Sequence, residues 1–440
     1  MGSPTTGGGM REQTQPTQAR LGPALGVAAV LFAALAVSGC MLRAGFAGLE
    51  QGSTTRTTGA TAPLGPAPDH VVLALDAGVK SGVPRLVTIR TDGRDLSTLA
   101  TAEMIYSASP PDELVAMSPA HDRVAFVQLT DPQGTALRLC VADLKSREST
   151  VVFTGAVESF VWDGRVLVAQ VGNDAHVLRL LAIERDGRSA TTTFSVPASF
   201  GGSGGFNFPR LVGADGAVTY VGEFQGGFDS VNQLKAVWRA DKSSGSLVRI
   251  RDLAPTQAQP AKVPLGVVHL ALPGAGGTPG MLTTILEGDV SPHRGKQDMP
   301  RTMTTYRLSD MNPQLAFPLT APEPSAWPFG VSADGGRYLW SGVATGGVPV
   351  GRAFSEIDGR TSAIGITVVP PNGGIVGYTS PEYADARGDF VYTSWDRLAQ
   401  TQMAYFYDRG TKRSTLLLKL QARDAPGPVV RVIGAYSASR

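Results

Sequence analysis

The chain has 440 residues, a net charge of +2 and a 42% hydrophobic share, enough for a large core and too balanced to point to a nucleic-acid partner. It holds 53 glycines and 31 prolines, a composition that implies many turns, and Cys40 and Cys140 are its only cysteines. Residues 1–20 are polar and carry Arg11 and Arg20, after which Leu21 to Leu42 runs without a charge. A basic start, an apolar run and small residues before a cut describe an export signal. The positive-inside tendency keeps the two arginines on the cytoplasmic side and sends the body across.

The run ends in Val37-Ser38-Gly39-Cys40, which resembles the bacterial lipobox. Small side chains let an extended backbone enter a protease, and the Cys40 thiol offers a nucleophile for a diacylglyceryl group. The resemblance implies cleavage before Cys40 and lipid attachment there, each buried CH2 contributing roughly 0.8 kcal/mol to membrane binding. A second reading is an uncleaved anchor: at about 1.5 Å per residue, Leu21–Leu42 suffices to cross a core of roughly 30 Å as a helix. Either way, residues 1–40 are a signal peptide or anchor helix. Residues 41–68, including "QGSTTRTTGATAPLGPAP", have too few apolar side chains to fold alone and read as a tether. A globular body is expected over 69–440.

Along the body, short alternating runs are separated by Gly, Pro, Asp and Ser, with no sustained helical periodicity. A strand, an aspartate turn and another strand recur at Asp92-Gly93, Asp143, Asp186-Gly187, Asp241, Asp310, Asp358-Gly359 and Asp408. The spacing varies from 43 to 69 residues. Upstream of most of these lies a polar turn followed by an apolar strand, beginning near Val124, Val166, Val218, Tyr338 and Phe390. Together they give four strands per unit, an all-β pattern of a β-propeller with about seven four-stranded blades, six or eight being the alternatives. The first unit has strands near Val71–Leu75, Leu86–Thr91 and Leu96–Leu99 but no innermost one. Val429–Tyr436 is expected to supply it and close the ring.

"MSPAHDRVAFV" resembles the WD40-like repeat of the TolB-type propellers through Ser118-Pro119 and the strand Val124-Ala125-Phe126. "VSADGGRYLW" keeps Ser332 and Asp334-Gly335. The resemblance implies a fold and carries no participation in a Tol system.

Chemistry is sparse. Ser203 in "GGSGG" has the letters of a nucleophile elbow without the strand–turn–helix it needs. His70, His121, His176, His269 and His293 form no local metal spacing and are expected in turns or on the surface. Arg387-Gly388-Asp389 falls where the repeat demands a polar turn, and the five tryptophans read as core. Cys140, in an alternating strand, is expected as a buried packing residue. The insertion Leu286–Arg301 gathers Glu287, Asp289, His293 and Asp298 and is the candidate partner loop. No cofactor, catalytic residue or metal ligand is assigned. The expected role is a membrane-tethered, noncatalytic protein- or envelope-binding module, in the periplasm or at the cell surface. A lactonase-like hydrolase with a site in the central funnel is the alternative.

Overall fold

A computed structural model describes residues 67–438, apart from a number of connecting segments. One compact unit spans Leu64–Arg440. Its described residues hold 29 strands in seven antiparallel sheets. The first sheet has β1 (His70–Leu75), β2 (Arg85–Arg90) and β3 (Ser97–Thr101), and the second has β4 (Met104–Tyr106), β5 (Val115–Met117), β6 (Arg123–Leu129), β7 (Leu137–Asp143) and β8 (Ser149–Thr154). The third comprises β9 (Val157–Asp163), β10 (Val166–Val171), β11 (Val177–Ile183) and β12 (Ser189–Ser195). The fourth comprises β13 (Asn207–Asp215), β14 (Val218–Gln225), β15 (Gln233–Asp241) and β16 (Ser246–Asp252). The fifth has β17 (Val263–Ala271), β18 (Met281–Glu287), β19 (Arg301–Arg307) and β20 (Asn312–Pro318). The sixth has β21 (Pro328–Val331), β22 (Arg337–Ser341), β23 (Phe354–Asp358) and β24 (Ile364–Val368). The seventh has β25 (Glu382–Tyr383), β26 (Phe390–Asp396), β27 (Thr401–Asp408) and β28 (Arg413–Gln421), and β29 (Val430–Tyr436) ends the chain.

Neighbouring strands within a sheet are consecutive in sequence except in two places: β29 joins the first sheet, in the order β29-β1-β2-β3, and β4 neighbours β6 in the second. The second sheet departs from four strands: β4 pairs with one half of β6 and β5 with the other. The intervening sequence contains Pro110-Pro111, which lack the N–H a ladder needs. The upstream turns lead into strands at Arg123, Val166, Val218, Arg337 and Phe390, within one residue of the sequence reading.

The sheets pack face to face around a closed circuit. Successive side chains of a strand point to opposite faces, so Val71 and Leu73 of β1 join Val391 and Phe406 of the seventh sheet while Val72 and Ala74 join Val124 and Phe126 of the second. Ala125 and Val127 then meet Phe160 and Trp162 of the third, whose Val161 and Val168 meet Leu211 and Val221 of the fourth. Val212 and Tyr220 pack on Leu282 and Tyr306 of the fifth, and Leu339 of the sixth on Phe390 and Tyr392 of the seventh. β17 lies beside β21, linking the fifth sheet to the sixth. Burial on both faces explains why "VVLAL" and "VAFV" read as unbroken apolar runs. Sheets arranged in such a circuit form a β-propeller.

Because strands alternate in direction, turns joining first to second and third to fourth strands share one face of the ring. The aspartate turns among the described residues, at Asp92, Asp143, Asp186, Asp241, Asp310 and Asp408, lie there, and the turn after Asp358 lies outside the described residues. The Asp143, Asp241 and Asp408 carboxylates each accept two backbone N–H bonds, from residues two and three further on. Asp92, Asp186 and Asp310 accept one each, from the residue two further on. These Asx turns are why aspartate recurs at the reversal.

Gly93 shows how tightly the ring closes. It has φ +81°, and a Cβ there would strike the Leu416 carbonyl oxygen of β28 in the seventh sheet. Gly187, at φ +86° in the equivalent turn of the third sheet, has nothing within 4 Å. Gly93→Ala is expected to cost about 3 kcal/mol and Gly187→Ala about 1 kcal/mol, the difference being the collision with fixed backbone. Urea unfolding of both variants tests this, and equal losses would contradict it.

Candidate functional site

The closing strand is held from both sides. Asp69 N–H donates to Tyr436 O, and the Asp69 carboxylate accepts from Ala438 N–H at 2.9 Å. Burial of Asp69 opposes ionisation, but the bonds from His70 and Ala438 prevail and hold its carboxyl below the ordinary value. Tyr436 stacks on His70 and its hydroxyl meets Thr88 Oγ1 at 2.8 Å. Ala435 N–H donates to Ala384 O of the seventh sheet, while His121 Nδ1 of the second lies 2.6 Å from Ala435 O.

One motif seats two arginines, and one of them, Arg123, bonds the neighbouring sheet. In Ser118-x4-Arg123, Ser118 N–H donates to Arg123 O, and Arg123 N–H donates to Ser118 Oγ. Ser332 and Arg337 repeat both bonds. The clasp fixes the arginine at the first position of the second-rank strand. Arg123 then reaches the third sheet, where Nη2 donates to Arg165 O at 2.7 Å and the guanidinium lies 5.0 Å above the Trp162 ring. Burial lowers the Arg123 pKa from its ordinary value despite nearby Asp122, which also lies 3.4 Å from Arg185.

Arg337 serves a buried cluster between the sixth and seventh sheets. Glu356, 2% exposed, accepts on Oε1 from Arg409 Nη1 at 2.7 Å, Tyr383 Oη at 2.8 Å and Arg337 Nη1 at 3.3 Å. Burial, and then the charge and hydrogen bond of Glu356, push the Tyr383 phenol far up. Arg409 is raised because its bond and ion pair to Glu356 outweigh burial. Asp389 beside it is fully buried and accepts from Arg409 N–H. The Arg387-Gly388-Asp389 tripeptide is thus built into this joint, as the turn repeat requires.

Above Arg123 the second and third sheets diverge into a cleft of about 310 Å³. Its apolar side is Val141, Val152, Trp162, Leu167 and Ile183, and its mouth carries Glu148, Glu184 and Arg185. Among the described residues the carboxylates of Glu148 and Glu184 have no ion-pair or hydrogen-bond partner, whereas Arg185 pairs with Asp122 and Asp186 with Arg188. Trp162, Leu167 and Ile183 beneath the cleft are buried core, with Val141 and Val152 packed against them, while Glu148 and Glu184 are exposed.

The sequence-derived candidates fare unevenly. Val37, Ser38, Gly39 and Cys40 lie outside the described residues, as do Ser203, Asp289, His293 and Asp298. Glu287 ends β18 opposite Arg301 in register. His70 departs from the turn-or-surface expectation: it opens β1 and is 7% exposed, because stacking on Tyr436 and its bond to Asp69 satisfy the ring. His269 likewise lies within strand β17. His121 sits in a turn and His176 is exposed. Trp162 and Trp238 are core residues. Cys140 is buried, and desolvation raises its thiol to about 11. Among the described residues no three His, Cys, Asp or Glu side chains cluster as a metal site, and no helix is long and apolar enough to cross a membrane. The serine–arginine clasp was visible in "SPAHDR" and "SADGGR", but its reach to the next sheet has no local signature.

No family model and no curated protein matches the sequence. Solved structures are similar at low identity. TolB from Acinetobacter baumannii matches at 12% identity and TM-score 0.36, over 83% of this chain and 66% of that one. The periplasmic gluconolactonase of Pseudomonas aeruginosa matches at 11% and 0.44, over 83% and 99%. A prolyl endopeptidase matches at 12% and 0.49, over 82% and 50%. The chain thus spans slightly under two thirds of TolB and half of the endopeptidase. The propeller assignment rests on strand order and on the circuit of interfaces.

Glu356→Gln leaves two arginines facing a neutral amide in a buried joint and is expected to cost about 3 kcal/mol. Asp186→Asn, in an exposed pair, is expected to leave stability unchanged. Denaturant unfolding reads both, and a Glu356→Gln variant as stable as the parent would refute the assigned role.

Proposed function

We propose that the chain is an exported, membrane-tethered, seven-bladed propeller that works as a noncatalytic binding module for a protein or another envelope component. The observation that carries the binding role is the cleft between the second and third sheets, where Glu148 and Glu184 are exposed and have no side-chain partner among the described residues. Arg123, Glu356 and Arg409 are spent holding neighbouring sheets, whereas Glu148 and Glu184 are exposed. The tether and its address rest on the sequence: a basic start, the run Leu21–Leu42, Val37-Ser38-Gly39-Cys40, and a linker rich in Thr, Gly and Pro. An acylated Cys40 would place the body beyond the cytoplasmic membrane, in the periplasm or at the cell surface, with the tether letting it reach a partner.

Two measurements test this reading. Metabolic labelling with a radioactive fatty acid is expected to mark the parent and to leave Cys40→Ala unlabelled; equal labelling would remove the lipid anchor. Elemental analysis of purified protein is expected to find no stoichiometric calcium or zinc. A bound equivalent would favour the lactonase-like alternative over a binding module.

A further inference from the structure

We infer that Met117 is the site at which a peroxide oxidises this protein and thereby loosens the closure of its ring. The inference is independent of the tethered-module reading and goes beyond it. Met117 ends β5, which lies beside the closing strand β29, and its side chain is half-buried. It packs on the core shared by the first and second sheets, as does Ile433 of β29. A Cβ placed on Gly434 of β29 would lie 2.8 Å from the Met117 Sδ and 3.0 Å from its Cε. The thioether therefore fills the space where a side chain of the closing strand would stand.

The two sides of this contact differ in how firmly they are held. β5 is pinned at both neighbours of the thioether's turn of chain: Ala116 O accepts from Trp162 Nε1 at 3.1 Å, and Ser118 closes its clasp with Arg123. β29 is the last strand, its ladder is with β1, and its register already shifts at Ile433. Segments near a terminus open locally at the least cost. An oxygen on the Met117 sulfur has no room toward Gly434. It either pushes the closing strand away or turns the thioether out of the joint, and a buried sulfoxide oxygen without a donor is itself costly.

In the reaction the sulfur lone pair attacks one oxygen of hydrogen peroxide and the O–O bond breaks. The departing oxygen takes the proton of the transferred one and leaves as water, so sulfur loses two electrons and the peroxide gains them. Met303 and Met311 are fully buried and Met403 is 8% exposed, so packing shields them from the oxidant. Met281 is half-buried like Met117 but belongs to none of the described core clusters. Among these methionines Met117 alone joins access to solvent with a contact on the closing strand.

The full chain in detergent is treated with hydrogen peroxide, and sulfoxide mapping and hydrogen exchange are both read by mass spectrometry. Met117 is expected to oxidise well ahead of Met303, Met311 and Met403. Once it has, the amides of Val430–Tyr436 are expected to exchange about tenfold faster than those of β2. In partly oxidised protein the fraction with a fast-exchanging β29 is expected to match the fraction of Met117 sulfoxide, a reading that needs no variant. Met117→Leu, which nearly keeps the volume and cannot take the oxygen, is expected to hold slow exchange through the same treatment. Met281→Leu is expected to respond as the parent does. Met117 oxidising no faster than the buried methionines, Met117 sulfoxide with β29 still as slow as β2, or equal loosening in Met117→Leu would each overturn the assignment.

Discussion

The pairing of β29 with β1 is the contact on which the rest of the body depends. Without it the first sheet would have three strands, and β1 would present an unpaired edge beside the seventh and second sheets. The C-terminal residues supply the missing strand from more than 350 positions away in sequence, with a bulge at Ile433 where the register shifts between Val72 and Leu73. Val430 and Val432 join the core shared with the seventh sheet, and Tyr436 joins the core shared with the second. One strand therefore belongs to two hydrophobic interfaces as well as to its own ladder. The polar bonds at Ala435, Tyr436 and Ala438 then fix its position along the ring.

Elsewhere the same problem is solved with side chains. Between some neighbouring sheets buried polar links add to the apolar packing. Arg123 spans the second and third sheets, and Glu356 with Arg337, Arg409 and Tyr383 spans the sixth and seventh. Such buried charges do not favour folding much in net terms, since desolvation offsets most of the Coulomb attraction. Their geometric demands nonetheless set how one sheet seats on the next. The cleft lies between the second and third sheets, beside the Arg123 link.

Much of this fold was legible in the sequence because its signals are local. An aspartate turn must offer a carboxylate to the N–H groups just after it, so Asp143, Asp241 and Asp408 announce hairpins wherever they occur. Strands buried on both faces must be apolar throughout, and "VVLAL" and "VAFV" are. The closing strand was legible by subtraction, since the first unit lacked one and the C-terminus had one spare. The division of the second sheet's first strand into β4 and β5 was not, because each half is only three residues long. Site residues were less visible. Glu148 and Glu184 look like any solvated hairpin charge until the two sheets are set side by side. The burial of His70 depends on Tyr436, 366 residues away, and no window of sequence contains both.

Native-state hydrogen exchange across β29 tests ring closure most directly. If the C-terminal strand completes the first sheet, the amides of Val430–Tyr436 that are bonded in the ladder will exchange as slowly as those of β1 and β2, and by the same global opening. Exchange of that segment within seconds, as in a free terminus, while β2 stays protected, would show that the ring does not depend on its last strand.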